Sequence, residues 1–415
     1  MTMSGREDEP GSWTQKGLAL IGTAVAVALA AGVGLYTFFT TMATPLHPNP
    51  AGVPSVKHAA TAQEWSGAVE RGQRLARARL VDQNLPGLSV AVGVGGDIVW
   101  AEGFGWADLE KWVPVAPRMR FRIGHASKAL TSAAVGRLLE QDRLDLDHEI
   151  QTYVPAFPKK QWTVTLRQLM GHVAGIRHYD NEADYMPSAH CERASEWVPR
   201  FSDDPLRFQP EVQYGYSTFG WILVSAAVEA AANEPFFTFM RSQIFQPLGM
   251  RDTTTDSVTE SIPDLAAFYD PRLSGDPVYG PEPSATVDYS CFAGAGAFLS
   301  TPSDLVRFGM AVSSGTLLKP ATVSTLQTPQ QLLSGHETDY GLGWMLETLP
   351  LAGGPARVAG HASRTMLGSS ASFVTLPEHG IVVAVMSNTS DAFLRSISLG
   401  LLQTFAEHQK RPESQ

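Results

Sequence analysis

The longest feature in the pattern of apolar and polar positions runs from Gly17 to Thr40 (GLALIGTAVAVALAAGVGLYTFFT), where every residue is apolar or small. From Glu64 to Val81 the apolar residues Trp65, Val69, Leu75 and Leu80 recur on one side of a helix. Two β-rich runs follow, Gly87 to Val94 and Asp97 to Gly103, joined through Gly95-Gly96 as in a hairpin. Near the other end, Ala371 to Leu376 and Ile381 to Met386 are again strand-like, and Asp391 to Glu407 places Leu394, Ile397, Leu401 and Phe405 at helical spacing. The middle, roughly 125–310, is mostly helix and loop. This distribution predicts an α+β domain: one antiparallel sheet closed by the two ends of the chain, flanked by terminal helices, with a helical region inserted between.

At about 1.5 Å per residue a helix over 17–40 crosses the ~30 Å hydrocarbon layer of a bilayer. A cleavable secretory signal has a shorter apolar core, and Thr41-Met42-Ala43 is a poor cleavage site, so the reading is an uncleaved, single-pass signal anchor. Lys16 at its entry, with no cation soon after its exit, predicts that residues 1–16 are cytoplasmic and that the main domain is extracytoplasmic, on a periplasmic-type side. Pro45, Pro48, Pro50 and Pro54 then predict a stiff spacer over 41–60 that holds a domain of residues 61–415 off the membrane.

Composition narrows the function classes. The chain has 415 residues, of which 44% are hydrophobic and 17% charged, against about 25% charged in an ordinary globular protein. With 31 Lys and Arg against 41 Asp and Glu, a net charge of −10, there is no basic footprint for nucleic acid. Part of the charge deficit is the stretch between Lys16 and Lys57, which holds no charged residue. Cys191 and Cys291 are two buried thiols or one bridge, and the sequence leaves both open. No dinucleotide or Walker fingerprint occurs, and no cofactor is implied.

Three short segments concentrate the candidate chemistry. The first is Gly124-His125-Ala126-Ser127-Lys128, opening an apolar helical pattern, so that residue 125 and Lys128, three apart, share a face. The second is Tyr216-Ser217-Thr218-Phe219-Gly220, ahead of another apolar helix. The third is Gly360-His361-Ala362-Ser363-Arg364, before the strand at 371. His172 is expected to be a packed structural histidine. His178, His190 and His336 show no ligand spacing and are expected in loops or at the surface.

In this order and spacing the segments resemble the serine β-lactamase and penicillin-binding protein superfamily. The similarity is closer to its class C, D-aminopeptidase and esterase branch, and within that to the mitochondrial serine β-lactamase-like proteins. Pro86-Gly87-Leu88-Ser89-Val90, Thr165-Leu166-Arg167-Gln168-Leu169-Met170-Gly171-His172, Pro247-Leu248-Gly249-Met250, the AGAG segment in Ala293-Gly294-Ala295-Gly296-Ala297-Phe298-Leu299-Ser300-Thr301 and Tyr340-Gly341-Leu342-Gly343-Trp344 extend the match over about 64–408. The resemblance implies a β-lactamase/DD-peptidase fold. It also implies a serine three residues before Lys128, activated by Lys128 and Tyr216, that forms an acyl-enzyme. Thr218, His361, Ala362, Ser363 and Arg364 would then line the substrate, with the amides of residues 125 and 364 as oxyanion donors.

The chain departs from that pattern where the chemistry needs it. Counting back three from Lys128 gives His125, not serine, and Ser127 points about 100° away from the lysine face. In the third motif Ala362 replaces a hydroxyl residue and Ser363 a glycine. Three readings follow. The first is a membrane-tethered pseudoenzyme that binds a small-molecule or peptide-like ligand or a protein partner. The second is a hydrolase with a modified mechanism using His125, Lys128 and Tyr216. The third is a metal site across His125 and His361, which lacks a third recognisable ligand, so that no metal is assigned.

Overall fold

The computed structural model describes residues 12–43, 45–58, 63–186, 189–258, 261–273, 275–351, 353–366 and 368–409. It divides into two units, 1–45 and 46–415. Residues 1–11 of the predicted cytoplasmic segment lie outside the described residues. The first unit is a single helix, α1 (Ser12–Met42), whose span Ala19–Thr41 has a mean hydropathy of 2.0 and is long and apolar enough to cross a membrane.

The second unit is built on one antiparallel sheet. Its strands are β1 (Ser55–Lys57), β2 (Gly87–Val94), β3 (Asp97–Asp108), β4 (Met345–Leu351), β5 (Gly354–Met366), β6 (Ser369–Leu376) and β7 (Ile381–Ser387), in the order β1-β3-β2-β7-β6-β5-β4. A two-residue strand, Val113–Pro114, also pairs with β3. The N-terminal hairpin joins the C-terminal meander through β2 and β7, from Val94 opposite Ile381 to Leu88 opposite Ser387. The sheet is thus closed by the two chain ends, as the period-two pattern predicts.

Both faces of the central strands are covered, and the alternation of side chains assigns each to a layer. Val90, Val92, Val383 and Val385 pack against the terminal helices α2 (Ser66–Asp82) and α6 (Leu394–Gln409). Ala91, Val382, Ala384 and Met386 face the inserted helical region, whose main elements are α3 (Ser127–Leu139), α4 (Thr218–Ala232) and α5 (Pro302–Ser313). Within the terminal-helix layer, Phe405 stacks on both Trp65 and Trp100, with ring centroids 5.9 and 6.2 Å apart.

The spacer is corrected by the structure. Residues 46–57 are not a free tether but part of the second unit. Leu46 N donates to Asn84 Oδ1 at 2.7 Å, Val53 is buried, Pro54 O accepts from Gly105 N at 2.9 Å, and Ser55–Lys57 adds to the edge of β3. Proline lacks an N–H but keeps its carbonyl, so a proline-rich segment still satisfies the open donors of a sheet edge. The domain boundary therefore moves from near residue 60 to residue 46.

Cys191 and Cys291 form a disulfide. It ties the loop before residues 194–200 to the segment Ser290–Ala295, which packs on α3 and α4.

Replacing Phe405 with Ala empties the space between two indoles, and a loss of about 3–5 kcal/mol is expected. It is measured as a lower urea midpoint with an unchanged slope; a change within error of zero would show that this layer does not carry the stability assigned to it.

Candidate active site

The first motif enters the site through a 3-10 turn, Gly124–Ala126, that runs straight into α3. Gly124 has φ +48°, a conformation that side chains disfavour, and it sets the direction of the turn. His125 on that turn is 8% exposed and Lys128 is wholly buried. Lys128 Nζ donates to Ala295 O at 3.0 Å and lies 5.1 Å from the centre of the Tyr216 ring. The carbonyl of Gly294 accepts from Thr131 Oγ1 at 3.0 Å, so the AGAG segment is pinned to α3 at two points.

The second motif is placed by the N-terminus of α4, where Ser217 caps the helix and accepts from Gly220 N. This sets Thr218 Oγ1 3.5 Å from His125 Nε2, and the Tyr216 ring 5.5 Å from the imidazole of His125. The third motif lies on β5 beyond the end of its pairing with β4, which stops at Gly360, so residues 361–363 pair only with β6. His361 and Ser363 stand opposite Phe373 and Ala371, on the face toward the inserted region and the 3-10 turn. Ala362 stands opposite Ser372, whose hydroxyl bonds Ser398 of α6, so its side chain faces the terminal helices. Arg364 sits at a register irregularity and turns outward, 3.8 Å over Phe393 and 3.9 Å from Asp391.

The structure thus gathers His125, Lys128, Tyr216, Thr218, His361 and Ser363, and sets the side chains of Ala362 and Arg364 apart from them. It also brings in three groups that motif spacing did not select. His172 stacks on Tyr216 with centroids 4.2 Å apart and accepts the Ser217 amide on Nδ1 at 3.1 Å. His178, expected in a loop or at the surface, lies in a loop, half-buried against Tyr216 at 5.6 Å, and accepts the Thr218 amide on Nδ1 at 3.3 Å. Tyr340 bonds His361 Nε2 at 2.9 Å. The available signals were Met170-Gly171-His172 and Tyr340-Gly341, read as accessory matches; the segment around His178 carried none. His190, by contrast, pairs with Asp288 in a loop, and His336 is exposed.

Desolvation dominates the electrostatics. Burial holds the Lys128 amine well below the usual lysine range. Burial first, and then the Lys128 charge, hold His125, His172 and His361 well below 6.5 and lower His178 to about 4. Burial likewise raises the Tyr216 and Tyr340 hydroxyls well above 10. At neutral pH the imidazoles are therefore uncharged. Both ring nitrogens of His361 are engaged, by Tyr340 and by the carbonyl of Ala362 at 3.0 Å, which leaves it no lone pair for a metal shared with His125. Among the described residues no group of three or more His, Cys, Asp or Glu is placed to hold a metal ion.

A family model described as Beta-lactamase matches residues 73–398. The chain belongs to the beta-lactamase family. Among similar proteins, the serine beta-lactamase-like protein LACTB, mitochondrial, of Mus musculus is 28% identical over 85% of this chain and 83% of its own. Penicillin-binding protein 4* of Bacillus subtilis is 25% identical over 73% and 68%. Two solved structures share the fold. The D-amino acid amidase of Ochrobactrum anthropi, solved with L-phenylalanine amide, has a TM-score of 0.71 at 22% identity and covers 83% of this chain and 100% of its own. The octameric penicillin-binding protein homologue of Pyrococcus abyssi has a TM-score of 0.70 at 21% identity, covering 82% and 78%. In this beta-lactamase-family chain, then, the helix-opening position three before the lysine carries an imidazole.

The neutral histidines make stability pH-dependent. Between about 6.5, where an unfolded histidine titrates, and about 4 for His178, the unfolded chain binds more protons than the folded one. Stability is thus expected to fall as the pH drops through that window, measured by urea unfolding at several pH values. Replacing His178 with Gln should flatten the slope, and an unchanged slope would remove His178 from this account.

Proposed function

We propose that this protein is a membrane-anchored member of the beta-lactamase family that binds a peptide-like ligand in its cleft and has lost acyl-enzyme formation at residue 125. One observation carries this reading. The buried imidazole of His125 occupies the nucleophile position, and the amine that would activate a hydroxyl there bonds Ala295 O instead. With no hydroxyl at residue 125, the lysine and tyrosine have nothing at that position to deprotonate. The peptide-like ligand is supported by the fold shared with an amidase solved with an amino acid amide, and by the clustered polar groups of the cleft wall. The anchor reading rests on the apolar helix, and the disulfide fits a domain held in an oxidising compartment. The LACTB relatives are described as mitochondrial, which makes a mitochondrial-type membrane space a compartment to test.

A modified hydrolase is the second reading, favoured by the neutral state of His125 and by Thr218 Oγ1 at 3.5 Å from its Nε2. An uncharged imidazole is competent as a base or nucleophile. The two readings separate in one experiment: the full chain and its His125→Ser variant are incubated with a fluorescent penicillin and a fluorophosphonate, then mapped by mass spectrometry. The expected result is no adduct on the natural chain and an adduct on the serine variant. A covalent adduct on His125 or Thr218 of the natural chain would establish the hydrolase reading in its place. A protein partner that binds the cleft should be lost from pull-downs with Tyr216→Ala, and its retention would place that contact elsewhere.

A further inference from the structure

Several buried hydrogen-bonding groups of the cleft keep donors unused, and these donors point to the chemistry of the ligand. Because Ser217 N–H donates to His172 Nδ1, the neutral ring carries its proton on Nε2, and that buried donor has no acceptor among the described residues. His361 donates from Nδ1 to the Ala362 carbonyl, so its Nε2 accepts from Tyr340, and the acceptor capacity of that ring is used. The Tyr216 and Ser363 hydroxyls are buried with no hydrogen-bond partner among the described residues. Lys128 Nζ is bonded only to Ala295 O, leaving N–H capacity unused. His172 Nε2–H, the two hydroxyls and the amine thus each keep a donor unused in an interior where an unsatisfied polar group is costly.

Charge is missing as well. The ionisable groups turned on the Lys128 amine are His125 from the 3-10 turn, His361 from β5, His172 and His178 from the loop after residue 170, and Tyr216 ahead of α4. The segment Ser290–Ala295 carries no titratable group, its Cys291 being in the disulfide, and the helix Pro320–Leu326 brings no ionisable group. Arg241, beyond the helix Phe236–Met240, is exposed, and Glu229 of α4 is paired with Arg193. The acids nearest the cleft loop, Asp180 and Asp184, act on His178 and are themselves paired with Arg177, Arg200 and Arg207. Among the described residues no carboxylate compensates the amine, and burial disfavours its charged form.

We propose that the cleft binds its ligand through a carboxylate seated beside Lys128 Nζ and Tyr216 Oη, and that the amine takes up one proton from solvent as the carboxylate enters. The carboxylate supplies acceptors to orphaned donors and the counter-charge that lets an ammonium persist when buried. This deepens the ligand-binding reading above and rests on it. Binding then tightens as the pH falls wherever the pH lies above the titration point of the free amine, because the complex holds one more proton than its parts.

The test is isothermal titration of the full chain in detergent with N-acetyl-D-phenylalanine and with its carboxamide, between about pH 7 and about pH 9, in buffers of different ionisation enthalpy. The acid is expected to bind with uptake of up to one proton, its Kd weakening by as much as about tenfold per pH unit. The amide should bind more weakly and without that dependence. Lys128→Met, an apolar replacement of similar length, should abolish the proton uptake, and Tyr216→Phe should weaken the acid more than the amide. Equal binding of acid and amide, acid binding without proton uptake, uptake that survives Lys128→Met, or no acid binding up to about 20 mM would each overturn the proposal. The acid has no bond for a hydrolase to cleave, so its binding is judged separately from acylation: an adduct with a penicillin would sink the pseudoenzyme reading and leave this one standing.

Discussion

The pairing of β2 with β7 joins residues almost three hundred positions apart, and the rest of the architecture depends on it. The chain between them has to leave the sheet and return, so the helical region becomes a lobe laid on one face while the two chain ends, as α2 and α6, cover the other. That lobe supplies the 3-10 turn and the start of α4, and the returning chain supplies β5. The cleft is the line where these three meet. Loss of the β2–β7 pairing would separate the motifs as well as open the core, so stability and site geometry are coupled in this fold.

Within the cleft the governing term is desolvation. A lysine buried without a counter-charge depresses the neighbouring imidazoles further, and three of the four have their proton assigned by a backbone partner: the Ser217 and Thr218 amides for His172 and His178, the Ala362 carbonyl for His361. The same arrangement suits a serine that must be deprotonated at low cost. With an imidazole at residue 125, Lys128 and Tyr216 lie buried beside a ring, and several polar groups around them have no partner among the described residues. A polar network left partly satisfied in a native interior carries a free-energy cost, which binding can recover.

The disulfide and the AGAG segment act on the same centre from outside. Cys291 is four residues from Ala295, whose carbonyl holds Lys128, and Cys191 anchors the loop that follows the cleft wall. The Arg177 cluster with Asp180, Asp184 and Asp204 holds the other end of that wall, directly beside His178. The Arg177 cluster and the disulfide thus hold the surroundings of the site through contacts that include none of His125, Lys128 and Tyr216.

Strand positions and terminal helices were legible because their apolar residues recur at periods of two and 3.6, and burial enforces those periods locally. The Gly95-Gly96 hairpin and the helix carrying Leu394, Ile397, Leu401 and Phe405 are instances. The substitution at residue 125 was legible too, since a three-residue spacing at a helix start is a local property. Other features were decided only by tertiary structure. The docking of residues 46–57 depends on open donors of a strand fifty residues later. The approach of His178 and Tyr340 to the motifs depends on loops whose sequences carry no period. The state of Lys128, neutral or charged, is set by everything packed around it. Periodicity records which face of an element is buried; what the buried face meets there is a matter of long-range packing, and it is that meeting that sets the protonation and hydrogen bonding of this cleft.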